Sequence, residues 1–174
     1  MKRASQLMVL ILLLFLCCGI ALAAFIYKRK VIAKRFEEIL NVLESENKGC
    51  IITGFSLEPP KTAKDSGIVK RVIARLDGDE AHTFAGDFAV ILKKYRDRVM
   101  TNEVYEYVFP NDYEITFEGT SSVLNIGWSN PSEPWVEYRI EEPPLGGTIF
   151  LKEEARSEIN SLIESLPKDK LIND

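Results

Sequence analysis

Histidine is almost missing from this chain: among 174 residues there is only His82. Without a second imidazole most His-based metal sites are excluded, and any His-dependent acid–base scheme rests on that one ring. Cysteine is scarce too. Cys17 and Cys18 fall inside an apolar run and Cys50 stands alone, so there is no disulfide framework and no pair at metal-ligand spacing. No acid occurs in the first 36 residues, and residues 7–27 carry no charge of either sign. Neither glycine nor proline interrupts residues 28–47. Internal repeats and low-complexity tracts are also missing. With 46% hydrophobic and 28% charged residues the composition is that of a globular chain, which excludes wholesale disorder and fibrous repeats.

What is present begins at the N-terminus. Lys2 and Arg3 precede the uncharged run, and Lys28, Arg29 and Lys30 follow it at once. About 20 apolar residues in a helix span a hydrocarbon core. The run therefore reads as a transmembrane helix over 7–27, with Tyr27 as an interfacial aromatic and the three cations at the headgroups. A cleaved signal peptide to Ala23 is the rival, since Ala21-Leu22-Ala23 resembles a small-residue cleavage site. The apolar run continues past that site to full spanning length, which favours the anchor. A lipoprotein fits poorly, because Leu16 and Cys17 stand where a small residue is wanted. Positive-inside counting, with Lys34 and Arg35 added to the C-terminal flank, leans toward a cytoplasmic domain. An exported or periplasmic domain, or secretion after cleavage near Ala23, is the alternative.

Beyond the anchor, Ile32, Phe36, Ile39, Leu40 and Leu43 form one helical stripe, so 28–49 reads as a basic collar and stalk helix whose stripe packs on the domain core. Residues 50–57 read as a strand closed by Pro59-Pro60. Residues 68–76 fit both periods, and the strand reading is preferred for the turn Asp77-Gly78-Asp79 that ends them. A helix over 79–98 carries the stripe Phe84, Phe88, Ile91, Leu92 and Tyr95. Its acids Asp79 and Glu80 lie at the start and Lys93, Lys94, Arg96 and Arg98 at the end, as the helix dipole favours. Gly86 inside this helix implies close packing there, since glycine costs up to about 1 kcal/mol against alanine.

Residues 103–141 alternate cleanly between turn signals and read as a four-stranded antiparallel meander, 103–109, 113–118, 122–128 and 135–141. Tyr105, Tyr107, Phe109, Tyr113, Ile115, Phe117, Leu124, Ile126, Trp128, Val136, Tyr138 and Ile140 would share the buried face. Residues 148–151 form a further short strand, and 153–166 a closing helix. The fold class is α+β: an N-terminal transmembrane and stalk helix, then a small domain over 50–166 whose four-stranded meander is packed on one face by two helices. Residues 1–6 and 167–174 are tails.

No catalytic constellation is visible. His82 reads as a surface histidine and Cys50 as a buried, inert thiol. Asp77-Gly78-Asp79-Glu80 lacks the twelve-residue calcium pattern, and Gly146-Gly147 lacks the lysine and strand–helix context of a phosphate loop. No cofactor and no metal is implied. The one distinctive feature is charge. Residues 99–151 hold nine acids and a single base, Arg139. Glu106, Glu114, Glu118 and Glu137 would line the solvated face of the meander, a surface that repels nucleic acid and anionic lipid and suits a basic protein partner. The expected function is a non-enzymatic, membrane-anchored protein-binding or assembly domain. A secreted or anchored hydrolase using paired carboxylates is the alternative, and it requires two acids converging in one pocket.

Overall fold

Nothing after Tyr27 breaks helical geometry, and the first helix does not stop at the end of the apolar run: α1 is continuous over Lys2–Glu44. The computed structural model describes residues 2–45, 48–57, 67–101, 112–118, 122–127, 134–140 and 145–167. The chain divides into two units, Met1–Glu37 and Glu38–Asp174. In the first, the stretch of α1 from Ile11 is long and apolar enough to cross a membrane, with mean hydropathy 2.4 in its most apolar window and none of that window buried in protein. Near its end the Arg29 guanidinium lies 4.9 Å from the centre of the Phe25 ring.

The second unit opens on the last turns of α1, where Ile39, Leu40 and Leu43 are buried as the stripe requires. There follow β1 (Gly49–Leu57), β2 (Ile68–Asp77), α2 (Gly78–Tyr95), β3 (Arg96–Thr101), β4 (Tyr113–Glu118), β5 (Ser122–Gly127), β6 (Trp135–Ile140), β7 (Leu145–Leu151) and α3 (Ala155–Glu164). The strands make one antiparallel sheet in the order β2-β1-β4-β5-β6-β7-β3. The α+β class holds.

The four-strand count does not. Among the described residues the sheet has seven strands. Strands β4, β5 and β6 are the expected second, third and fourth strands of the meander. The expected first, 103–109 with Glu106 in it, lies outside the described residues, as do Trp128 and the tail from residue 168. The described neighbours of β4 are β5 and β1. The pairing is chemically matched, since Cys50 stands opposite Phe117 and Ile52 opposite Ile115, which makes one continuous apolar row. Alternation in a sequence marks a strand and its two faces, but it does not name the neighbour.

Residues 68–77 are a strand, as preferred. The helix expected over 79–98 ends earlier, at Tyr95, and Arg96–Thr101 leaves as β3 along β7. Local helix propensity at Arg96 and Arg98 loses here to the ladder that covers the free side of β7. Buried Val99 opposite Ile149 adds the apolar contact. Both outer strands of the described sheet are charged: exposed Lys70, Arg71 and Arg75 lie on β2, and Arg96, Asp97 and Arg98 on β3. Such charges discourage edge-to-edge pairing with other chains.

Gly78 joins β2 to α2 with φ of +50°, a conformation that side chains disfavour, and its N–H donates to the Lys48 carbonyl at 3.1 Å. The core lies between the helices and one sheet face. Phe84, Phe88 and Leu92 of α2 and Ile159 and Ile163 of α3 are buried, as are Ile52, Leu76, Ile115, Phe117, Leu124, Ile126, Val136, Tyr138 and Ile140 from the sheet. Lys94 and Glu158 pair at 2.6 Å between α2 and α3, and the Tyr95 hydroxyl donates to the same carboxylate. Lys93 Nζ reaches Glu44 at 2.5 Å, which ties the end of α1 to the end of α2.

Candidate functional site

Tyr113 identifies the helix-covered face, because its hydroxyl donates to Asn160 Oδ1 of α3 at 3.2 Å. Residues one step out of phase point to the other face. There Glu114 stands opposite Asn125, Asn125 opposite Glu137, and Glu137 opposite Thr148. The result is one row of acceptors across four strands. Asn125 Nδ2 donates to Glu137 Oε2 at 3.3 Å. Asn125 Oδ1 and Thr148 Oγ1 are buried and find no hydrogen-bond partner among the described residues. Both oxygens are enclosed, so of this row only the half-buried carboxylates of Glu114 and Glu137 present acceptors to a partner.

This face is less open than the sequence implies. Glu118 is exposed, as expected, but Glu114 and Glu137 are half-buried. Beside them Trp135 and Phe150 form a cross-strand pair on the same face and are buried, with the Arg98 guanidinium 4.1 Å from the centre of the Phe150 ring. Trp135 shares its side of β6 with Glu137 and Arg139, so the polar face carries a large aromatic at its end. The plain solvated surface expected there is therefore corrected. Alternation in the sequence puts Asn125 on the same face as Glu114 and Glu137, but nothing there singles out Thr148. Only the register shows that they flank Glu137.

A second concavity lies among the β2 end, α2 and α3. It encloses about 320 Å³ and is lined by Leu76, Phe84, Leu162, Leu166 and Pro167, with Asp79, Glu80 and Asp87 along one rim. The first two acids read in the sequence as dipole partners alone. Asp87, the one charged residue of α2 between Glu80 and Lys93, was the available signal. A third, more polar groove of about 460 Å³ runs past Arg71, Asp112, Tyr113, Arg156 and Asn160. Burial, and then the charge of Asp112, hold the Tyr113 hydroxyl above its ordinary pKa.

The remaining sequence candidates fall apart in space. His82 is exposed on α2. Cys50 is buried, and desolvation raises its pKa to about 12, so the thiolate needed for attack is suppressed. Lys28, Arg29 and Lys30 sit on α1 in the first unit, exposed. Hydrogen bonds to Glu158 and Tyr95 raise the Lys94 pKa. The Glu158 carboxyl is lowered mainly by the bond from Lys94. Both groups are exposed, and water screens the pair. No protein-family profile, no curated protein and no solved structure matches this chain.

Proposed function

We propose that the chain is a non-enzymatic, single-pass membrane protein whose domain docks a basic protein partner on the sheet face opposite α2 and α3. One observation carries the reading: the row Glu114–Asn125–Glu137–Thr148, in which the half-buried carboxylates of Glu114 and Glu137 stand on either side of Asn125. Lysine and arginine offer only donors, three and five of them, so either side chain complements such a row. Nucleic acid is a poor fit to it, because the carboxylates repel phosphate. In this reading residues 7–27 cross the bilayer. Lys28, Arg29 and Lys30 form the collar that retains the domain on the cytoplasmic side.

Photo-crosslinkers placed at Thr116 and Glu118, in membranes from cells making the full chain, test the docking face. A basic protein captured there and lost with Glu137→Gln supports the reading. Capture indifferent to Glu137, or no adduct at either position, overturns it. A reporter fused after Asp174 tests the side of the membrane, and activity confined to the outside would reverse the assignment.

A further inference from the structure

The slot between α2 and α3 pairs an apolar floor with a rim of one charge. Leu76, Phe84, Leu162, Leu166 and Pro167 supply the floor and Asp79, Glu80 and Asp87 the rim, and among the described residues no lysine or arginine lines the slot. At about 320 Å³ it stands at the small end of ligand pockets, room for one or two large side chains rather than a cofactor. Its chemistry is uneven. Asp79 and Glu80 lie in the first turn of α2, where the helix dipole stabilises them. Asp87 lies beyond the reach of that effect, which fades within the first turn. Its carboxylate is exposed beside the apolar slot. Among the described residues Leu162 and Leu166 are half-buried at the mouth and Pro167 is exposed, so the slot presents apolar surface.

We infer that this slot receives an amphipathic, cationic segment of a partner protein, with a large apolar side chain on the floor and lysine or arginine against Asp79 and Asp87. The proposal rests on the protein-binding reading above but uses a different surface. Asp79 and Asp87 are eight residues apart on α2, roughly 12 Å along its axis at 1.5 Å per residue. The segment therefore carries its cations about two helical turns apart, with the apolar anchor between them. An anionic lipid surface does not fit, because the rim repels its headgroups.

The test uses the full chain in lipid nanodiscs and a fluorescent synthetic helix bearing a leucine stripe flanked by lysines, with a glutamate-for-lysine version as control. Anisotropy should show binding of the lysine peptide only. The pair Asp79→Asn with Asp87→Asn should weaken it about tenfold, as loss of close charge pairs does. Leu162→Gln should weaken it as well, while Glu118→Lys should not. The aspartate variants sit on the surface and keep the test valid if Leu162→Gln fails to fold. Equal binding of both peptides, or binding untouched by the aspartate changes, overturns the slot. Loss caused only by Glu118→Lys or Glu137→Gln moves the partner to the sheet face, sinking the slot while the binding reading stands. No binding of the lysine peptide under any condition overturns the slot, and the sheet-face crosslinking then decides the binding reading separately. Self-association abolished by the aspartate changes replaces the partner protein with a second copy and overturns the proposal as stated.

Discussion

The indole of Trp135 occupies the space over Gly127, its cross-strand partner: a Cβ on Gly127 would stand 2.3 Å from Cζ2 of the ring. Only a residue without a side chain lets the ring lie there. Gly127→Ala should therefore displace Trp135 and destabilise the domain by about 1–3 kcal/mol, the usual cost of overpacking. Urea unfolding followed by tryptophan fluorescence would measure it. An unchanged midpoint would mean that the ring moves aside freely.

Gly86 is the opposite case. The sequence implies a close approach there, yet a Cβ at Gly86 would meet nothing within 4 Å. No contact requires glycine in the middle of α2. Gly86→Ala should stabilise the domain by about 0.5–1 kcal/mol through helix propensity alone. A fall in melting temperature would show that the helix needs the smaller residue.

Cys50 should behave as a buried apolar residue. Its pKa rises from 9.0 to about 12 in the folded protein, so at pH 8 alkylation of Cys50 should wait for unfolding. The sign of the pH effect follows. Below pH 9 the thiol is neutral in both states and folding loses nothing. As pH rises from 9 toward 12, only the unfolded thiol ionises, and stability should fall by about 1.4 kcal/mol per pH unit. Subtracting the same profile for Cys50→Ala isolates this slope, and parallel profiles would refute it.

The acidic face should split by burial. Glu118→Lys alters an exposed side chain and should shift stability by no more than about 0.5 kcal/mol. Glu137→Lys removes the acceptor for Asn125 and places a cation in a half-buried row, a loss of about 1–3 kcal/mol. Thermal melts of the two variants compare them directly. Equal losses would mean that burial does not distinguish the two sites.

The apolar stretch of α1 should anchor the protein. Leu12→Arg with Leu16→Arg should release the chain from membranes or abolish its accumulation, since each charge at the centre of a span costs roughly 2.5–3.5 kcal/mol. Carbonate extraction of membrane fractions reads this out. A soluble mature chain starting at Ala24 would show cleavage instead.

Much of the architecture was legible because it depends on short-range periodicity. The apolar run of α1, the stripe through Ile39, Leu40 and Leu43, and the alternation in β4, β5 and β6 are each written within a dozen residues, where helix and strand periods differ most. Even β2 was readable once its closing turn was weighed. The end of α2 was not. Arg96 and Arg98 are good helix formers, and only the free side of β7, some fifty residues later, draws them into a strand.

The sequence by itself determined that an uncharged, span-length helix precedes an acidic α+β domain, because hydropathy and local period belong to the chain. Only the tertiary structure decided which strands are neighbours, and therefore what stands beside what. Register placed Asn125 and Thr148 on either side of Glu137, laid Trp135 across Gly127, and brought Leu162 under the rim that Asp79 and Asp87 make. Those contacts cross from one element to another, and no period within a single element encodes them.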